Sequence, residues 1–179
     1  MAIMPIVHVP DPVLRQKTKK IKKIDTSIQK LIDDMAETMY DAPGVGLAAT
    51  QVGISLRLCV IDAQDPFSED SRDSSPGLVV LINPEIVKRS GARMCDEGCL
   101  SLPGYKGNIQ RSEKVVVKGL NRDGRPVRYH AEDLFAEAIE HEVDHLNGIL
   151  YFDYLESIDK LTATPNEEDE EEEVAAKGS

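Results

Sequence analysis

The sequence predicts an α+β domain, and three observations lead there. Two segments carry apolar residues at helical spacing. Several short apolar runs have the length of strands. Strands and helices do not alternate in the way that builds a parallel sheet. With 179 residues and 41% hydrophobic content, the chain is long enough to close one core.

Residues 1–24 read as an irregular, basic arm interrupted by Pro5, Pro10 and Pro12. Ile28, Leu31, Ile32, Met35 and Met39 then recur every three or four residues, which predicts a helix over about 27–40. Asp25, Thr26 or Ser27 can cap it. The stretch "DAPGVGLAATQVG" ends the helix in a loop with exposed backbone, because Pro43, Gly44 and Gly46 break the pattern. "LRLCVID" (56–62) and "LVVLIN" (78–83) are strand candidates joined by a polar surface loop. "EKVVVKGL" and "RPVRYHA" flank Asn121-Arg122-Asp123-Gly124 and predict a hairpin. "EDLFAEAIEHEVDHLN" is the second helix, with Gly148 in the place of a C-terminal cap and a short apolar run, Ile149 to Phe152, after it. From Thr162 onward the composition is of low complexity and predicts disorder. The division expected is one folded domain over 1–161 and an acidic tail over 162–179.

Charge narrows the function classes. Residues 167–173 are all acidic, and with Lys177 they leave −6 in the tail, hence −5 of the total −11 for the remaining chain. This argues against a basic nucleic-acid footprint and against direct DNA binding. No apolar run reaches the ~20 residues of a membrane span, and the N-terminus lacks a signal-peptide pattern. Three cysteines do not make a disulfide framework, so a reducing compartment is expected, with free thiols available to a metal.

The chemistry centres on "HEVDH". On a helix, His141 and His145 stand one turn apart on the same face and can reach one ion, while Glu142 points about 100° away and can approach a metal-bound water without being a ligand. Two imidazoles leave the site incomplete. No histidine follows His145, and the acids at 167–173 lie beyond the Gly148 break in a segment unsuited to hold a ligand still. The upstream candidate is Cys99 in "CDEGCLSLP", where a tight turn can fix a thiolate and Gly98 lets the backbone approach a substrate. One Cys and two His with an open fourth position is a catalytic rather than a closed structural ligand set. Cys95 is the rival thiol and reads as an ordinary reduced cysteine; Cys59 reads as core.

"GVGLAATQ" (44–51), "EGCLS" (97–101) and "HEVDH" (141–145), in this order, resemble the three signature motifs of peptide deformylase, and the likeness covers most of residues 1–160. The resemblance implies antiparallel sheets packed around a central helix that carries the H-E-x-x-H ligands. It implies a cytoplasmic hydrolase acting during protein biosynthesis. Such an enzyme removes the N-terminal formyl group from the formylmethionine of newly synthesised polypeptides. Cys99, His141 and His145 would hold the metal, usually iron(II), with zinc, nickel or cobalt as alternatives. Glu142 would be general base and acid. Gln51 and the backbone N–H of Leu100 would hold the formyl oxygen, and backbone groups of Val45, Gly46 and Gly98 would pair with the substrate. Elementary chemistry agrees. A metal lowers the pKa of its water, giving hydroxide to attack the formyl carbon. A carboxylate moves the proton, and donors fixed in advance hold the developing oxyanion.

Neighbouring residues carry further expectations. Glu97 and Arg111 would form an ion pair bracing the Cys99 turn. Asp144 would orient a ligand histidine. Leu134 and Ala138, on the face of His141, would line the pocket for the methionine side chain. His8 and His130 read as surface or structural. The acidic tail sets this chain apart from relatives that end in a basic, ribosome-docking helix, since RNA phosphates would repel it. Two other functions compete: a zinc peptidase built on the same helix with a different third ligand, and a non-enzymatic acidic interaction module.

Overall fold

The computed structural model describes residues 2–64, 69 and 72–164. Helix α1 (Thr26–Asp41) and helix α2 (Asp133–Leu146) lie on opposite faces of a five-stranded antiparallel sheet. That sheet contains β1 (Gly46–Ala48), β2 (Leu58–Ile61), β3 (Val79–Ser90), β6 (Lys114–Leu120) and β7 (Pro126–Glu132), in spatial order β1-β2-β3-β6-β7. A second antiparallel sheet has the order β4-β5-β8, from β4 (Arg93–Cys99), β5 (Leu102–Arg111) and β8 (Thr162–Ala163).

Both helices form for the reasons their spacing gives. Asp25 accepts the Ile28 N–H at 3.1 Å and caps α1. The stripe Ile28, Leu31, Ile32, Met35 and Met39 then packs on Leu58, Val60, Val80 and Ile82. On the opposite face, Phe135, Ile139, Val143 and Leu146 of α2 pack on Cys59, Ile61, Val79, Leu81, Val115 and Val117. Each such side chain withdrawn from water contributes about 1.5–3 kcal/mol. Because helices cover it on both sides, β2 is buried along its whole length rather than at alternate positions. Cys59 is therefore core, as its surroundings in the sequence predict.

Several elements depart from the sequence reading. The stretch after α1 is not only loop: Gly46–Ala48 pairs with β2, and Ala49–Val52 forms a 3-10 turn. The strand expected over 78–83 extends to Ser90, since pairing with β6 continues past the buried half into solvent. The segment around Cys99 is not an isolated turn but the end of β4, which pairs with β5 from Arg93↔Arg111 to Cys99↔Leu102. Disorder from Thr162 is also corrected: Ala163 and Thr162 pair with Tyr105 and Lys106, so ladder hydrogen bonds carry order past position 161. The acidic run 167–173 lies outside the described residues. α2 ends where Gly148 takes a φ of 74°, and a Cβ there would stand 2.5 Å from the Arg15 carbonyl. The chain turns back into a 3-10 turn, Tyr151–Tyr154, whose two tyrosines meet the helix it has just left.

Candidate metal centre

α2 presents His141 and His145 toward the end of β4, and the bend between β4 and β5 delivers Cys99. The Cys99 Sγ lies 3.3 Å from His145 Nε2, which lies 3.1 Å from His141 Nε2. All three ligand atoms fall within 4.8 Å of one another, and no other such group of three is found among the described residues. Donors held ~2.0–2.3 Å from one tetrahedral ion stand ~3.3–3.6 Å apart. The soft thiolate and two imidazoles therefore suit a first-row divalent metal. Cys95 is buried elsewhere on β4, with its sulfur 3.0 Å from Arg93 Nη1, and burial pushes its thiol up to about 12. Of the two candidate thiols, the fold brings only Cys99 to the histidines.

The electrostatics match a set of atoms arranged for a cation. Burial opposes a charged His141, but Cys99 and Glu97 outweigh it and hold a proton there. His145, more deeply buried beside it, is driven toward the neutral form. Gln51 Nε2 at 3.6 Å and the Ser101 N–H at 3.4 Å both point at the Cys99 sulfur. Binding a metal to such a set displaces protons from its ligands.

Around the cluster lies a cleft of about 540 Å³ that reaches Val45, Gly46, Gln51, Gly98, Leu100 and Glu142. Of the residues expected in the site, Cys99 and His141 border it as well, whereas His145, 1% exposed, lies behind its wall. Glu142 is 3% exposed, its Oε2 has no hydrogen-bond partner, and burial pushes its pKa up to about 7. Gly46 is needed where it stands, because a Cβ would come 2.7 Å from Glu142 Oε1. Gln51 sits in the 3-10 turn with Oε1 accepting the Ala48 N–H at 3.0 Å. Its Nε2, 3.2 Å from Ser101 Oγ, is thereby turned toward Cys99. Leu134 and Ala138 line the cleft, joined by Glu137, which the sequence did not single out. Its position three residues after Leu134 and four before His141 was the signal available. His8 and His130 lie away from the cleft.

The expected Glu97–Arg111 pair is present: Arg111 Nε and Nη2 donate to the Glu97 carboxylate at 2.9 and 2.6 Å, both side chains nearly inaccessible. Burial works against the Glu97 charge, but the hydrogen bonds from Arg111 and His141 prevail and bring its pKa down to about 2. Glu97 also bonds His141 Nδ1, which leaves Nε2 facing the cluster. The role expected of Asp144 therefore belongs to Glu97. Asp144, three residues after His141, accepts instead from Arg111 Nη1 at 2.6 Å and from the Tyr154 hydroxyl at 2.7 Å.

Comparison with known proteins bears on this geometry. Residues 3–161 match the family model described as polypeptide deformylase. A peptide deformylase of Dehalococcoides mccartyi is 51% identical over 97% of this chain and 99% of its own. The crystal structure of a peptide deformylase from Legionella pneumophila superposes with a TM-score of 0.79 at 46% identity, covering 89% of each chain. One from Ehrlichia chaffeensis in complex with actinonin gives 0.83 at 37% identity over 89% of this chain and 92% of its own. One from Acinetobacter baumannii with Met-Ala-Ser bound gives 0.78 at 33% identity over 86% and 99%.

Proposed function

This chain belongs to the polypeptide deformylase family, and from that premise we propose how it removes the formyl group from the N-terminal formylmethionine of new polypeptides. Cys99, His141 and His145 hold one divalent metal, with iron(II) as the physiological ion and zinc, nickel or cobalt as substitutes. When bound, that ion supplies a Lewis acid and makes its water acidic enough to react near neutral pH. Glu142 takes the proton from the attacking water and returns it to the departing amine; a carboxyl raised to about 7 by burial suits both halves of that task. Gln51 Nε2 and the Leu100 N–H hold the formyl oxygen as charge develops on it, and formate leaves.

The substrate backbone enters as an added strand. β1 and β4 each stand at the edge of their sheet and both border the cleft, so one extended peptide can pair with Val45 and Gly46 on one side and Gly98 on the other. The methionine side chain rests on Leu134 and Ala138. Met-Ala-Ser, bound by the Acinetobacter relative, has the form of the deformylated product. The catalytic domain covers the family match at 3–161 and the β8 pairing of Thr162–Ala163 that follows it, with the acidic run 167–173 as a tail. Among the described residues no helix is long and apolar enough to cross a membrane. Work in the cytoplasm on chains emerging from the ribosome follows from the substrate. Ribosome docking through the tail does not, because that segment repels RNA phosphate.

One observation carries the reading: three ligand atoms within 4.8 Å beside a buried carboxylate oxygen with no partner. Anaerobic purification should yield one metal per chain and turnover of formyl-Met-Ala peptides, and Cys99→Ser should lose both. A Cys99→Ser protein that still deformylates would overturn the ligand assignment and favour a peptidase-like third ligand.

A further inference from the structure

We infer that the 3-10 turn Tyr151–Tyr154, directly after the ligand helix, positions His141 for metal binding from behind, with the Tyr154 hydroxyl as its working contact. This rests on the reading of His141 as a ligand and adds residues to which no role has yet been given.

The turn is itself anchored. Asp153 accepts two hydrogen bonds from Arg15 at 2.6 and 3.0 Å and the Leu150 N–H at 3.0 Å. Arg15 also lies over the Phe152 ring at 5.6 Å. From this fixed base two tyrosines reach neighbouring positions of the ligand helix, His141 and Asp144. Tyr151, 2% exposed, stacks on the His141 imidazole with centroids 6.3 Å apart and planes 25° from parallel. Tyr154 donates to Asp144 Oδ2 at 2.7 Å, and its ring lies 5.1 Å from the Arg111 guanidinium carbon.

Arg111 is the joint of the arrangement. Three of its N–H donors are split between Asp144, at 2.6 Å, and both oxygens of Glu97. Glu97 in turn holds His141 Nδ1. A buried guanidinium between two carboxylates can slide toward either. A hydroxyl that shares the Asp144 charge weakens the pull from that side and leaves Arg111 committed to Glu97. Without it, Asp144 draws Arg111 away and the imidazole gains freedom to rotate. Tyr154 itself is 49% exposed, so its hydroxyl can be removed without opening the core. It touches neither ligand nor cleft and is a positioning residue.

The test compares the cobalt-loaded wild type with Tyr154→Phe, which loses the hydroxyl, and Tyr154→Leu, which loses the ring as well. The readouts are cobalt loss to excess chelator, the thiolate–cobalt absorption band, kcat and KM on a formyl-Met-Ala peptide, and the unfolding midpoint of each metal-free protein. Carboxylates that orient metal-binding histidines affect metal affinity by about 10–100-fold. One step further out, cobalt should leave Tyr154→Phe about three- to ten-fold faster, and Tyr154→Leu faster still. Lower kcat with KM unchanged and matching metal-free midpoints is the result expected. Equal rates of cobalt loss in all three proteins, with the absorption band intact, would overturn the inference and leave the ligand reading standing. So would faster loss tracked by an equal fall in metal-free stability, since the turn would then only hold the fold together. A wild type without the thiolate–cobalt band would overturn the ligand reading and this inference with it.

Discussion

The two helices cover opposite faces of one sheet and bury very different residues. α1 buries an apolar stripe with only Asp34 and Thr38 as polar company. α2 buries Glu140, Glu142, Asp144 and His145 along with its apolar face. Most of those polar groups are matched. Glu140 takes Arg89 at 3.2 Å and the Ser112 N–H at 2.7 Å, Asp144 takes Arg111 and Tyr154, and His145 faces Cys99. Glu142 Oε2 and the second ring nitrogen of His145, Nδ1, are left over. α1 has a partnerless oxygen of its own, Glu37 Oε2, but no group of ligand atoms converges on it. The difference teaches that a buried polar atom without a partner is a functional sign only where other reactive groups meet it.

The strongest attack on this contrast is to remove the two odd carboxylates. Glu142→Gln should lower kcat by about 10²–10⁴-fold, the worth of a positioned acid–base group, with metal retained. Glu37→Gln should leave kcat unchanged, and a comparable loss there would erase the distinction between the helices. Gln51→Ala should cost about 3–4 kcal/mol in transition-state stabilisation, read as kcat, because it deletes one donor to the oxyanion. An unchanged kcat would remove Gln51 from the mechanism. Within the α1 stripe, Ile32→Val should lower unfolding free energy by about 0.5–1.5 kcal/mol in denaturant titration, with kcat intact.

The smallest expected effect concerns Asp34, whose pKa is lowered first by the hydrogen bond from Lys30 and then by the Ala2 N–H. A folded-state pKa below the unfolded one means its contribution is present above the ordinary carboxylate range and is lost as pH falls through the folded value. Asp34→Asn should therefore narrow the stability gap to wild type as unfolding is repeated at lower pH. A gap that widened on acidification would reverse the sign. Asp34 lies far from the cleft, so the pH dependence of turnover should not move.

What the sequence determined by itself was local. Apolar spacing located both helices to within a residue or two, and His141 and His145 at one helical turn placed two candidate ligands on one face with Glu142 beside them, since 3.6 residues per turn leaves little freedom. The resemblance carried by three short motifs supplied Cys99, Gln51 and Leu100. Tertiary structure decided the rest. β4 and β5 were illegible because their run of Gly, Pro and charged residues shows little strand alternation, and their ladder is set by pairing across the bend at Cys99. β1 was hidden in a glycine-rich stretch for the same reason. Glu97 rather than Asp144 orients His141, and Tyr151 and Tyr154 join it, because partners 44 and 10 residues apart in sequence meet only once the sheets have closed. Periodicity reports which face of a segment is buried; it carries no record of which distant polar group will be waiting there.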